Sequence, residues 1–232
     1  MSVSPPTAVL VHSPFLGPAS LRPLADALGA RGCPALLLDL RVTVNAAPVT
    51  QRLIGVFADA VEDSLVQGPL VLVGHSGAGP LLPGLADSLE RDVTGLVLLD
   101  SVLPTPGRAW RDTAPPELTA HLRKISGDGR LPRWDRWFDT DPMAELVADA
   151  ALREQIVDEA PEVPLAFLKE ARPSAAWSGH SGYVQLSDHY SADADEAERA
   201  GYRVERLAGD HLWPATHPAE VADALLRVLP AG

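Results

Sequence analysis

Short unbroken apolar runs alternate along most of the chain with stretches in which apolar residues recur at helical spacing. Ala8–His12 opens as an apolar strand, and Ala19–Ala30 places Leu21, Leu24, Ala25 and Leu28 on one helical face. Gly32 ends that helix, and Ala35–Leu40 reads as a second buried strand. Val49–Val66 is amphipathic, with Leu53, Val56, Phe57, Ala60, Val61 and Leu65 three and four apart. Leu70–Val73 is the third strand, Gly79–Glu90 a helix and Gly95–Leu99 the fourth strand. The rhythm breaks over residues 104–173, which are rich in proline, Trp and Leu. Helical patterns there cover Glu117–Lys124, Pro142–Ala151 and Leu165–Ala171. The alternation resumes with strand Tyr183–Leu186, helix Ala194–Ala200, strand Tyr202–Leu207 and a final amphipathic helix, Pro218–Leu229.

Strands alternating with helices in this way predict an α/β fold. Its sheet is mostly parallel, of about six strands, with helices on both faces. The 232 residues suffice for one domain with a full core, residues 1–232, with 104–173 inserted in it. An insertion of that size between two strands is usually functional when it is not disordered. It carries too much Trp and Leu for disorder.

The chemistry concentrates where the third strand ends. Leu70-Val-Leu-Val-Gly-His-Ser-Gly-Ala-Gly79 runs from a buried strand through a sharp turn into helical sequence. A serine at such a tip, Ser76, has its hydroxyl exposed above the sheet. Gly74 and Ala78 supply the small flanks that G-x-S-x-G requires, with Ala78 in the place of the last glycine. The N–H of Gly77, at the helix start, faces any negative charge formed beside Ser76. A serine hydroxyl needs a general base, and the base an orienting acid. His211, in Leu207-Ala-Gly-Asp-His-Leu, follows the last strand and so lies at the same end of the sheet. His75 points away into the protein, and His12 supports the turn after the first strand. His121, His180, His189 and His217 have no visible partner and take loop or surface roles. No metal-ligand spacing appears among them.

Composition narrows the partners. Nineteen Lys plus Arg against 31 Asp plus Glu leave a net charge of −12. This argues against nucleic acid and against anionic membrane surfaces. The single cysteine, Cys33, rules out an internal disulfide and reads as a small buried thiol. No basic leader or long apolar run appears near the N-terminus, so a cytoplasmic location is expected by default.

At three places the chain resembles the α/β-hydrolases: Gly74-His75-Ser76-Gly77-Ala78, Val9-Leu10-Val11-His12-Ser13, and Gly209-Asp210-His211 followed by Pro218-Ala-Glu-Val-Ala-Asp-Ala-Leu-Leu. The Gly-Asp-His ending is similar to the small plant esterase and hydroxynitrile-lyase branch. The resemblance implies a Ser-acid-His triad, an oxyanion loop after the first strand, and a helical lid over residues 104–173. It leaves the acid open between Asp100, after the fourth strand, and Asp188, with Asp193 a further possibility and Asp210 a local cap. Pro14 has no N–H, so the second oxyanion donor is the N–H of Phe15 or the hydroxyl of Ser13, beside Gly77. The lid aromatics Trp110, Trp134 and Trp137, with Phe15, Leu103 and Trp213 near the mouth, suggest an apolar acyl or aryl group. The same aromatics equally suit the lid's own small core. Arg108, Arg111, Arg123, Arg130, Arg133 and Arg136 alternate with Asp and read as solvated surface.

The leading expectation is a cofactor-free, metal-free serine hydrolase acting on a small-molecule carboxylic ester, thioester or lactone, as a monomer or homodimer. The alternative is a lyase, cyclase or acyltransferase that uses Ser76 and His211 as an acid–base pair. Less favoured is a ligand-binding member without catalysis.

Overall fold

The computed structural model describes residues 6–230. Eight strands occur among them: β1 (Thr7–Val11), β2 (Ala35–Leu37), β3 (Leu70–His75), β4 (Val93–Leu99), β5 (Arg130–Leu131), β6 (Val163–Pro164), β7 (His180–Gln185) and β8 (Arg203–Arg206). Six form one sheet in the order β2-β1-β3-β4-β7-β8, every neighbouring pair parallel; β5 and β6 form a short antiparallel ribbon. The helices are α1 (Arg22–Ala30), α2 (Val49–Glu62), α3 (Leu82–Asp87), α4 (Trp110–Thr113), α5 (Pro116–Ile125), α6 (Met143–Leu146), α7 (Ala150–Glu159), α8 (Ser191–Arg199), α9 (Trp213–Thr216) and α10 (Pro218–Val228). None of the described helices is long and apolar enough to cross a membrane.

The inner strands β1, β3 and β4 are buried on both faces, which is why they read as apolar runs. Side chains alternate between the two faces. Ala8, Leu10, Val71, Val73, Val97 and Leu99 share one cluster with Leu24 and Leu28 of α1 and Val221 and Leu225 of α10. Val9, Val11, Leu70, Leu72 and Leu96 share another with Leu53 and Phe57 of α2 and Leu82 and Leu85 of α3. The second face continues through Leu98 and Tyr183 to Ala194 and Ala197 of α8. Helix α1 ends in a Schellman turn: Gly32 has φ +77°, its N–H bonds the Gly29 carbonyl, and Cys33 N–H bonds the Leu28 carbonyl.

Several expected elements come out shorter. The strand expected over Ala35–Leu40 stops at Leu37, because the Leu40 amide turns inward to donate to His12 Nε2 (3.0 Å). The helix expected over Gly79–Glu90 is a 3-10 segment, Ser76–Leu81, followed by the six residues of α3. Pro80 is the reason. In an α-helix its N–H would reach the Ser76 carbonyl, and proline has none. The Ser101 hydroxyl takes that carbonyl instead, at 2.5 Å. Gly79 leaves room for this bond, since a Cβ there would stand 2.2 Å from Ser101 Oγ. The Pro142–Ala151 pattern is divided into α6 and the longer α7, whose start is fixed by the Asp149 carboxylate accepting from Leu152 N–H (2.9 Å). The Leu165–Ala171 pattern forms only a 3-10 turn, Leu165–Lys169.

Residues 104–173 pack against the rest through two apolar clusters. In one, Leu122, Leu131, Trp137, Val163, Phe167 and Leu168 meet Phe15, Val44 and Val49. In the other, Met143, Val147 and Ile156 meet Leu16, Ala19, Leu212 and Ala215. Glu159 adds polar anchors, accepting from the Ala19 N–H (2.5 Å) and pairing with Arg22 (3.1 Å).

Candidate active site

Strands β3 and β4 run side by side with His75 opposite Leu99. The next residue on each, Ser76 and Asp100, therefore leaves the sheet at the same level. Both have left-handed backbones, Ser76 at φ +55° and Asp100 at φ +45°. Such values are uncommon for residues other than glycine and mark a turn held by its surroundings. At Ser76 the surroundings are tight. A Cβ on Gly74 would lie 2.9 Å from the Leu82 side chain and 3.0 Å from Gly79 Cα.

His211, between β8 and α9, joins the two. Its Nε2 lies 2.9 Å from Ser76 Oγ and its Nδ1 2.7 Å from Asp100 Oδ2. Asp100 is fully buried. Its Oδ1 accepts from the N–H groups of Leu186 (2.8 Å) and Ser187 (2.9 Å), and Oδ2 also accepts from the Ser187 hydroxyl (2.8 Å). Burial works to raise the pKa of this carboxyl. The bond and charge of His211, with the two amides, outweigh it and hold the carboxyl below its usual range. A carboxylate there fixes the proton on His211 Nδ1 and leaves Nε2 as the acceptor for Ser76.

Asp188 is exposed and makes no bond to His211 among the described residues; the carboxylate bonded to His211 is that of Asp100. The strand end before Asp188 contributes the Leu186 and Ser187 amides that hold Asp100 instead. Asp193 lines the cavity and makes no bond to His211 among the described residues; burial raises its carboxyl pKa. Asp210 caps its turn by accepting from Leu212 N–H (2.8 Å).

His75 is buried with its ring 4.7 Å from that of His211, and its Nε2 donates to the His211 carbonyl (2.9 Å). Burial, reinforced by the His211 charge, lowers its pKa to about 3. His12 is buried too, donating from Nδ1 to the Ser13 carbonyl (2.9 Å) and accepting the Leu40 N–H at Nε2. Burial pulls its pKa down as well. Both rings are neutral when folded and take up protons when unfolded near pH 6. Their contribution is therefore complete above the ordinary histidine pKa and lost as pH falls below it, by up to about 1.4 kcal/mol per pH unit for each ring. The melting temperature should fall steeply from pH 7 to pH 5. Nitrogen chemical shifts of the His75 ring should stay those of neutral imidazole at pH 5; a protonated His75 in the folded protein at that pH would contradict the assignment.

The loop after β1 is a turn in which the Leu16 N–H bonds the Ser13 carbonyl (3.0 Å). Ser13 is buried and lies off the cavity wall; its Oγ accepts a long bond (3.3 Å) from the Phe15 N–H. Phe15 and Gly77 do line the wall, in a cavity of about 380 Å³ that also exposes Ser76 and His211. Trp110, Trp134 and Trp137 also line it. Trp137 serves both readings of the aromatics: it packs in the apolar cluster of the insertion, edge-on to Phe15 (ring centroids 4.8 Å), and forms cavity wall.

Two expected pocket residues lie elsewhere. Leu103 packs toward Leu98 and Tyr183 under α8. Trp213 stacks on His217 (4.5 Å) and covers Gly209, where a Cβ would stand 2.1 Å from its ring. The cavity residues that were not anticipated include His189, Tyr190 and Arg172. His189 is on the wall rather than a bystander. Tyr190 stacks flat on His211 (5.5 Å, 17°), and burial raises its phenol pKa. Arg172 is a buried guanidinium with no apolar or motif context in sequence to single it out.

The model of the alpha/beta hydrolase family matches residues 8–224. No curated protein sequence matches the chain. Among solved structures, an extracellular alpha/beta-hydrolase from a Paenibacillus species is 17% identical with a TM-score of 0.78, over 98% of this chain and 100% of that one. It is described as sharing structural and functional homology with tobacco salicylic acid binding protein 2. A pyrethroid hydrolase from Sphingobium faniae JZ-2 is 18% identical with a TM-score of 0.69, over 95% and 96%. Polyneuridine aldehyde esterase is 16% identical with a TM-score of 0.68, over 96% and 98%. At these identities the likeness is one of fold.

Proposed function

The chain belongs to the alpha/beta hydrolase family, and from that premise we propose that it hydrolyses a carboxylic ester, thioester or lactone through an acyl-enzyme on Ser76. The observation that carries this reading is the bonded line Asp100–His211–Ser76 (2.7 and 2.9 Å) opening onto an aromatic cavity. Ser76 Oγ attacks the substrate carbonyl while His211 Nε2 takes its proton. The imidazolium formed is stabilised by Asp100 and gives that proton to the departing alcohol or thiol. A water then enters, loses a proton to Nε2, attacks the acyl carbonyl and releases the acid with Ser76 restored. The Gly77 N–H, at the start of its 3-10 segment, is one oxyanion donor. The Phe15 N–H is the second, exchanging its long bond to Ser13 for the developing charge. The apolar wall suits an acyl or aryl group, and structural neighbours described as a pyrethroid hydrolase and an aldehyde esterase fit ester chemistry.

The Phe15–Ser13 bond also motivates a second reading. If it persists, only one backbone donor meets the oxyanion, and losing one such donor costs about 3–4 kcal/mol in other enzymes. Ser76 and His211 then serve as an acid–base pair for a lyase, cyclase or acyl transfer. Intact mass after incubation with a fluorophosphonate separates the two. A single adduct on the wild type, absent from Ser76→Ala and His211→Ala, is the expected result. A folded wild type that takes no adduct would move the assignment to the second reading.

A further inference from the structure

Resting on the hydrolase reading above, we propose that Arg172 is a carboxylate-recognition site in the same cavity, so that the substrate is an ester or thioester carrying a free carboxylate. Arg172 is only 6% exposed and lines the wall that Ser76 and His211 also line. Two of its bonds are accounted for: Nη1 donates to the Thr105 hydroxyl and Nη2 to the Thr113 hydroxyl (3.1 Å). A guanidinium has five N–H donors, and both of these partners are neutral. Among the described residues Arg172 takes part in no ion pair. Buried charges are ordinarily paired, because desolvation is costly. This one lines a largely aromatic cavity with donors that no described partner takes up.

The charges around it sharpen the selection. Glu170 is on the same wall, but its carboxylate is committed to the first amides of α2, Val49 (2.8 Å) and Thr50 (2.7 Å). Asp112 accepts from the Ala109 N–H (3.0 Å) and pairs with Arg111 at 3.5 Å. Arg108 and Asp112 also reach Arg172 with charges of opposite sign. The planar fork matches a carboxylate in a way that a point charge does not. The aromatic wall meanwhile fits an apolar spacer between that carboxylate and the ester. The side chain is not needed to hold its own backbone in place. Arg172 N–H bonds the Arg108 carbonyl (3.0 Å), Gly107 N–H bonds the Arg172 carbonyl (3.2 Å), and Ala171 bridges Ala109.

The test compares mono-(4-nitrophenyl) esters of dicarboxylic acids, succinic through azelaic, with neutral 4-nitrophenyl alkanoates of matching length. The wild-type ratio of kcat/KM, acid ester over neutral ester, should favour the acid ester at one spacer length. In Arg172→Gln that ratio should fall by about 10–100-fold. Arg172→Lys, which keeps the charge without the fork, should fall between them. A ratio without preference in the wild type, or unchanged in both variants, would overturn the proposal, since a purely structural role lowers both esters together. If the wild type cleaves neither series, the hydrolase reading has failed but the site is still readable. Calorimetry of the monomethyl dicarboxylates on Ser76→Ala should then show binding that Arg172→Gln weakens at least tenfold. No binding, or binding indifferent to Arg172, would overturn the site itself.

Discussion

Replacing Asp100 with Asn should lower kcat/KM by about 10⁴-fold, while Asp188→Ala leaves it within about twofold of the wild type. The difference follows from hydrogen-bond direction. All four groups around the Asp100 carboxylate donate to it: two amides, the Ser187 hydroxyl and His211 Nδ1. An asparagine keeps one acceptor oxygen and brings two donors. With that oxygen on the Leu186 and Ser187 amides, its NH₂ faces His211 Nδ1 and the Ser187 hydroxyl. The imidazole must then carry its proton on Nε2, where it cannot accept the proton of Ser76. Steady-state rates on any substrate found in the ester screen, with the acylation rate measured separately, check this. Equal losses for Asp100→Asn and Asp188→Ala would remove Asp100 from the assigned role.

Ser76→Ala should bring a larger loss, on the order of 10⁶-fold in kcat where the nucleophile acts as a unit with its base. It carries a second signature in stability. Ser76 sits at φ +55°, a region that costs an L-residue with a Cβ roughly 1–2 kcal/mol. Ser76→Gly should therefore melt above Ser76→Ala, although both lose the hydroxyl. The Ser76 carbonyl stays bonded to Ser101 in either variant, so the turn itself persists. Thermal melts of the two variants beside their residual activities read both effects. An alanine variant that melts as high as the glycine variant would mean the backbone at 76 is unstrained.

These two residues illustrate different kinds of information. Ser76 was legible because its surroundings are local: a buried strand, small neighbours and a turn within ten residues. His211 was legible from its place after the last strand. Asp100 and Asp188 could not be separated in this way. Each follows a strand at the correct end of the sheet, and only the register of β3 against β4 sets Asp100 level with Ser76. The β7 end, where Asp188 stands, then supplies the amides that hold Asp100. Pocket composition was harder still. Leu103 and Trp213 have the right residue type and the right neighbourhood in sequence, yet each side chain turns into a different part of the core.

The sequence by itself determined the alternating α/β architecture, the parallel sheet with helices on both faces, and the positions of Ser76 and His211. Periodicity and turn chemistry act over a few residues, and short-range signals suffice for them. The tertiary structure decided which carboxylate meets His211. It decided that Pro80 hands the Ser76 carbonyl to Ser101, and that Tyr190, His189 and Arg172 rather than Leu103 and Trp213 face the cavity. Those outcomes depend on strand register and on how residues 104–173 pack across the strand ends. They are contacts between residues tens to more than a hundred positions apart, which no local pattern encodes.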